Sequence, residues 1–311
     1  MQVNQQFLDA IENTLSKPRL DSYRSYFSCE SDDEVVGAYL WNKAISTAFY
    51  PLLQAVEITL RNAIHLNVTN HFSGNREWYL MSKFPEAKRQ AEKCYFKPHT
   101  KTPLAPKPSS DSVVASLTFG FWVNLLTHQY DDPVKNKKLW PSLIPLVFPN
   151  ARGVQATRAK LHQRFKFIKD FRNRVSHHEP IWKIKDAIDG GGKLIRRGPA
   201  TPQESIHRLT EYVDLLLESL KWMSLERHDF VVGMGAPDHI RQLCSMEALH
   251  HFQGKNSNKI RVNKLKHEFV NRMKKHGSLS GMYELQTSAK GFHKGKGLVL
   301  EIKQVRIPSN N

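Results

Sequence analysis

The stretch FRNRVSHHEPIW, residues 171–182, holds two arginines, two adjacent histidines, a glutamate and a helix-stopping proline. Arg172, Asn173 and His177 form a set suited to phosphodiester chemistry. Cleavage of RNA through its own 2′-hydroxyl needs a base near neutrality, a cation over the pentacoordinate phosphorus and a proton for the leaving 5′-oxygen. Histidine titrates in the right range and arginine supplies a permanent planar charge, so this chemistry needs no metal. One histidine serves as base or acid but hardly as both in one step. A single motif per chain is therefore better explained if two copies meet across a symmetric dimer.

Helical geometry positions these groups. At roughly 100° per residue, Leu161, Phe165, Ile168, Phe171 and Val175 form one apolar stripe, and Arg172 projects onto it. A guanidinium there must meet a carboxylate or line a cleft where an anion arrives, because an unpaired buried charge is costly. Asn173 and His177, four residues apart, share a face, whereas His178 points elsewhere. The plainer alternative is a polar helix end whose cations offset the dipole. A second cluster, Glu57, Arg61 and His65, runs at i, i+4, i+8 beside the apolar stripe Leu53, Val56, Leu60 and Ile64, and again an Arg-Asn pair, Arg61-Asn62, precedes a histidine. Its alternative is an intrahelical Glu57–Arg61 ion pair with an idle histidine, so this cluster is taken as support for the site. Lys169 and Arg174 on the same helix, with Arg196 and Arg197 further on, are candidate RNA contacts.

The elements that must hold these residues are helical. Residues 34–72 keep apolar residues at helical spacing, with Pro51 marking a kink or a junction. Residues 110–130 make a second helical region with Ser110 or Asp111 as N-cap, and residues 153–179 a third, ended by Pro180. The fourth, 202–226, carries the stripe Ile206, Leu209, Val213, Leu216, Leu220 and Met223. Four amphipathic helices predict a mainly α bundle. Two long connections, a proline-rich basic one at 97–110 and a glycine-rich one at 186–202, read as mobile loops. Beyond 226 a small basic extension follows, with a helical stretch at 258–277 and strand-like alternation at 297–308. The division expected is a helical domain over 1–225 and the extension over 226–311, and a chain cut near 226 is expected to keep its fold.

Composition narrows the partner. The chain of 311 residues has a formal net charge of +17, which favours a polyanion through counterion release. Residues 152–198 carry thirteen basic and four acidic residues, and residues 251–311 thirteen and three. No apolar run is long enough to span a membrane and the N-terminus lacks the pattern of a signal peptide, so a cytoplasmic protein without membrane partners is expected. Cys29, Cys94 and Cys244 are scattered and form no CxxC motif. His177, His178 and Glu179 diverge around a helix and lack His-x3-His spacing, so neither metal nor cofactor is expected. DGGGK, residues 189–193, is not a P-loop. Trp122, Phe119, Phe121, Trp41, Tyr39 and Phe49 are expected in the core.

RNRVSH resembles the Arg-x(4–6)-His motif of HEPN domains, helical bundles that often act as metal-independent RNases. The likeness narrows to the Abi-like (abortive infection) branch. It runs through LSKPRLDSYRSYF, AYLWNKAISTAFYPLLQAVEITLRNAIH, LTFGFWVNLL, LWPSLIPLVFP and RNRVSHHEPIW, roughly residues 10–225. The resemblance implies a HEPN-like helical bundle. It puts Arg172, Asn173 and His177 at catalytic positions, supported by Glu57, Arg61, Asn62 and His178. It also implies an anti-phage or toxin-type endoribonuclease, dimeric through the motif-bearing helices, with a protein or small-RNA antitoxin as a further expected partner. The competing expectation is a non-catalytic RNA-binding module in which the same groups clamp phosphates. His177 discriminates the two, since clamping needs cations whereas cleavage needs proton transfer.

Overall fold

The computed structural model describes residues 5–132, 138–188, 192–255, 259–261, 267, 270–271, 281–286 and 298–302. These residues are mainly helical. The helices are α1 (Gln5–Leu15), α2 (Lys17–Tyr26), α3 (Asp32–His71), α4 (Pro85–Glu92), α5 (Ser110–Ser116), α6 (Phe119–Asn124), α7 (Ile144–Val147), α8 (Arg158–Ser176), α9 (Pro202–Met223), α10 (Leu225–Gly233), α11 (Ala236–Leu243) and α12 (Met246–Phe252). Strands β1 (Ala187–Ile188) and β2 (Leu194–Arg196) pair antiparallel. A second sheet has the order β3 (Lys259–Arg261), β4 (Gly281–Gln286), β5 (Leu298–Ile302), parallel then antiparallel.

Local chemistry explains the helix ends. Asp32, Asp33 and Glu34 occupy the first turn of α3, where the macrodipole favours acids. The helix continues through Pro51, so of the kink or junction expected there the break into two helices is not seen, although the division between the two compact units falls at this residue. The single helix expected over 110–130 is instead two, because Ser109 and Thr118 each cap a new start by accepting the N–H of Ser112 and Phe121. The first cap thus lies one residue before the expected pair. Thr157 caps α8 in the same way, after a 3-10 turn at Gly153–Ala156. At the start of α9, Thr201 accepts the Glu204 N–H and Glu204 reaches back to the Ala200 N–H.

The chain divides into two compact units. The first comprises Met1–Tyr50, His178–Asp214 and Val231–Asn311. Its centre is aromatic: Trp182 stacks on Tyr26 at 4.4 Å and meets Tyr23 and Phe27 edge-on, and Phe27 in turn meets Trp41. Three polar side chains buried in this core are paired, as close packing favours. Asn42 Oδ1 accepts the Ile181 N–H at 3.0 Å, Ser205 donates to the Trp182 carbonyl, and Trp41 Nε1 donates to the Leu243 carbonyl at 2.8 Å. The second unit comprises Pro51–His177 and Leu215–Phe230. Its core joins Trp78 to Phe84, Phe121 and Trp122, and Phe148 to Phe165. Arg164 closes its edge, pairing with Glu218 and lying over the Trp222 ring.

All the apolar stripes read from the sequence are buried. Trp41, Phe49, Phe119, Phe121 and Trp122 are core residues, and Tyr39 is half-buried. The two loops are more structured than expected. Lys97 donates to Thr102, Leu104 to Tyr95, and Lys107 pairs with Glu77. The second loop contains β1 and β2, and the Gly198 N–H is held by Asp186. In the extension, Lys259–Arg261 is a strand where a helix was expected; His267, Val270 and Asn271 are helical, and the rest of 258–277 lies outside the described residues. Leu298–Ile302 is the strand its alternation implies. Asp189, Gly190 and Gly191 of DGGGK also lie outside the described residues.

Ile240, Leu243 and Leu249 are buried and Val231–Asn311 belongs to the first unit, so a chain cut near 226 would strip apolar cover from that unit rather than leave its fold intact. Gly37 gives a sharper test, because a Cβ there would lie 2.2 Å from the Phe252 carbonyl oxygen. Glycine to alanine inside a helix ordinarily stabilises by about 1 kcal/mol. Here the sign reverses: Gly37→Ala should cost about 1–3 kcal/mol through overpacking, measured as a fall in the urea midpoint.

Candidate active site

Within the second unit an ion pair links α8 to the part of α3 that lies beyond Pro51. Arg172 Nε donates to Glu57 Oε2 at 3.2 Å, with both side chains half-buried. The guanidinium that broke the apolar pattern therefore meets a carboxylate, the first of the two outcomes its position allowed. Its Nη1 also donates to Asn173 Oδ1 at 3.4 Å. Glu57, Arg172 and Asn173 thus form one connected polar group. Arg61 Nε instead donates to Asn62 Oδ1 at 3.1 Å, making a neighbouring pair on α3.

Helix α8 ends at the histidines. His177 is the C-cap: its N–H donates to the Asn173 carbonyl at 2.8 Å, which keeps it one turn beyond Asn173. His178 has φ +57°, the left-handed conformation that turns the chain out of a helix. Both are exposed. Among the described residues no group of three or more His, Cys, Asp or Glu is placed to hold a metal ion.

A family described as Abi-like protein matches residues 10–183. The chain belongs to the Abi-like family. Neither a curated protein nor a solved structure matches it. The Abi-like segment contains Glu57, Arg61, Asn62, Arg172, Asn173, His177 and His178, together with Lys169 and Arg174, whereas Arg196 and Arg197 lie beyond it.

The candidate RNA contacts have different surroundings. Lys169 lies 3.6 Å from Asp170, and Arg174 is half-buried on α8. In the first unit Arg196 grips Glu211 with both terminal nitrogens at 2.8 and 2.9 Å, while Arg197 is exposed. His65 is not idle: its Nδ1 accepts the Trp78 indole N–H at 3.2 Å. Sequence reasoning passed over Asn42, a 2 % exposed amide that holds the backbone just after the motif. Its signal was an asparagine on the helical stripe of Ala38, Ile45 and Phe49. The three cysteines are free thiols, and no helix among the described residues is long and apolar enough to cross a membrane.

The bond from Trp78 needs a neutral His65, and burial first, then the Arg76 charge, lowers the pKa of this imidazole. The unfolded chain takes up that proton near pH 6.5, the folded chain only at lower pH. Between those values the unfolded state holds more protons, so stability falls as pH falls. Melting temperatures followed from pH 7.5 to 5 should decline, and His65→Gln, which keeps an acceptor for Trp78 without titrating, should flatten that decline. An equal slope in the variant would assign it to other groups, His162 among them.

Proposed function

We propose that this Abi-like protein is a metal-independent endoribonuclease of HEPN type, acting in abortive infection or as the toxin of a toxin–antitoxin pair. The observation that carries the reading is the connected group Glu57–Arg172–Asn173 one turn before the exposed His177. Glu57 holds a cation at a fixed place on α8 without burying it, which is the preorganisation that stabilises charge developing in a transition state. Arg172 stabilises the phosphorane, Asn173 orients the scissile phosphate, and His177 transfers the proton. The net charge of +17 supports a polyanionic substrate. A homodimer joined through the motif-bearing helices supplies a second His177, so that one copy removes the 2′-hydroxyl proton and the other protonates the leaving oxygen. His178 and the Arg61–Asn62 pair lie beside these groups in sequence and support them. Lys169 and Arg174 contact the RNA backbone, and a protein or small-RNA antitoxin would act by covering this surface. On this reading the protein works in the cytoplasm.

Purified protein should cut single-stranded RNA in the presence of EDTA and leave 2′,3′-cyclic phosphate or 3′-phosphate ends, with DNA untouched. Strict dependence on an added divalent metal would sink the mechanism. His177→Ala should abolish cleavage while RNA affinity stays within a few-fold, whereas Arg172→Ala should lose cleavage and part of the binding, because the cation acts in ground and transition states. Wild-type binding without cleavage under all conditions would favour the clamp. Glu57→Gln should lower cleavage by misplacing Arg172 and cost about 1 kcal/mol of stability, in line with a partly exposed ion pair.

A further inference from the structure

We propose that the first unit carries a nucleotide-binding site, formed by two adjoining clefts that share Pro199. One cleft, of about 570 Å3, is lined by Arg196, Arg197, Gln203, His207 and Arg208 among others. The other, of about 480 Å3, is lined by Ser22, Ser25, Tyr26, Trp182 and Lys183. Pro199 borders both, and each volume falls within the range of small-ligand pockets. The first is suited to phosphate and the second to an aromatic base.

The cationic cleft is organised before any ligand arrives. A single carboxylate, Glu211, takes both terminal nitrogens of Arg196 at 2.8 and 2.9 Å, Arg208 Nε at 3.3 Å and His207 Nε2 at 3.2 Å. Glu204, the other acid at the cleft, is occupied with the Ala200 N–H. Three arginines thus face two carboxylates already in use, and Arg197 makes no ion pair among the described residues. Planar guanidinium groups held at fixed positions are the groups that take phosphate oxygens in pairs. The site differs from the Glu57–Arg172 group, whose residues all belong to the second unit.

The adjoining cleft explains why a bare anion is not the best occupant. Tyr26 is locked: its hydroxyl lies 2.7 Å from both the Thr201 carbonyl and Ser205 Oγ, and its ring stacks on Trp182 at 19° between planes. A rigid aromatic pair beside hydroxyl groups offers a base both a stacking surface and hydrogen-bond acceptors. Ser22 and Ser25 donate to the carbonyls of Arg19 and Asp21, which leaves their oxygens as acceptors. A phosphate joined to an aromatic base satisfies both halves, whether it comes as a free nucleotide or as one residue of a single-stranded RNA. The inference does not depend on the cleavage reading.

Calorimetric titration of the full chain with AMP, GMP, CMP and UMP, and with inorganic phosphate as reference, tests it. At least one nucleotide should bind roughly tenfold more tightly than phosphate, the difference a stacked base supplies. Arg197→Glu and Gln203→Glu, both at exposed positions, should each weaken that nucleotide by roughly tenfold or more through charge repulsion without changing the melting temperature. The two variants back each other up should one fold poorly. A single-stranded 2′-O-methyl hexanucleotide, which resists attack by its own hydroxyl, separates the sources. Displacement of the nucleotide by this strand, again sensitive to Arg197→Glu, identifies RNA, and failure to displace it identifies the free nucleotide. Nucleotides that bind no better than phosphate, or affinities unchanged in both variants, would overturn the proposal.

Discussion

The Glu57–Arg172 pair is the constraint on which the candidate site depends. Arginine cannot shed its charge, so placing Arg172 at the edge of an apolar helix stripe demands an anion in reach. Glu57 supplies it from another helix, at a cost in desolvation that half-burial keeps small. The pair contributes little to stability by itself. Its effect is positional: it fixes the rotation of α8 relative to α3 within the second unit and directs the guanidinium toward Asn173. The apolar residues around it could be exchanged for others of similar volume, whereas neither charge could be removed without stranding its partner.

Helix termination matters as much as helix formation here. Helix α8 is long enough to carry Arg172 and Asn173 on fixed faces, and it stops where His177 becomes its cap. The left-handed turn at His178 and the proline two residues on prevent continuation. Just beyond, the Ile181 N–H is held by Asn42 and the Trp182 carbonyl by Ser205, so the segment after the turn is anchored by two buried hydrogen bonds. The exposed histidine thus follows a rigid helix and precedes a tethered strand of chain.

Much of this was legible in the sequence. The stripes on α3, α8 and α9 were readable because apolar periodicity reports burial directly. Arg172 was readable for the opposite reason, as a charge that violates the periodicity and so requires a partner. The identity of that partner was not, since Glu57 was equally well placed to pair with Arg61 one turn along its own helix, and only tertiary packing decides between them. The division of 110–130 into α5 and α6 was missed because Ser109 and Thr118 look like ordinary polar residues until their hydroxyls are seen accepting backbone N–H groups. Asn42 and His65 were undervalued for a related reason. A buried polar side chain matters through the single atom it satisfies, and periodicity carries no information about such atoms.

On the proposed reading, an exposed His177 has a consequence for how the enzyme would work. Electrostatic stabilisation by Arg172 is strongest where water is excluded, because the local dielectric sets the strength of every charge–charge term. A motif at the surface of one chain is open to solvent on the side where the phosphate must bind. Substrate and a second copy of the same helix end would together close that side, supplying the missing histidine and removing water in the same event. Dimerisation would then be part of the chemistry, and activity would depend on protein concentration below the dissociation constant of the pair. The Glu57–Arg172 pair suits such a device, since it holds the cation in place while the site is still open and leaves nothing to reorganise when it closes.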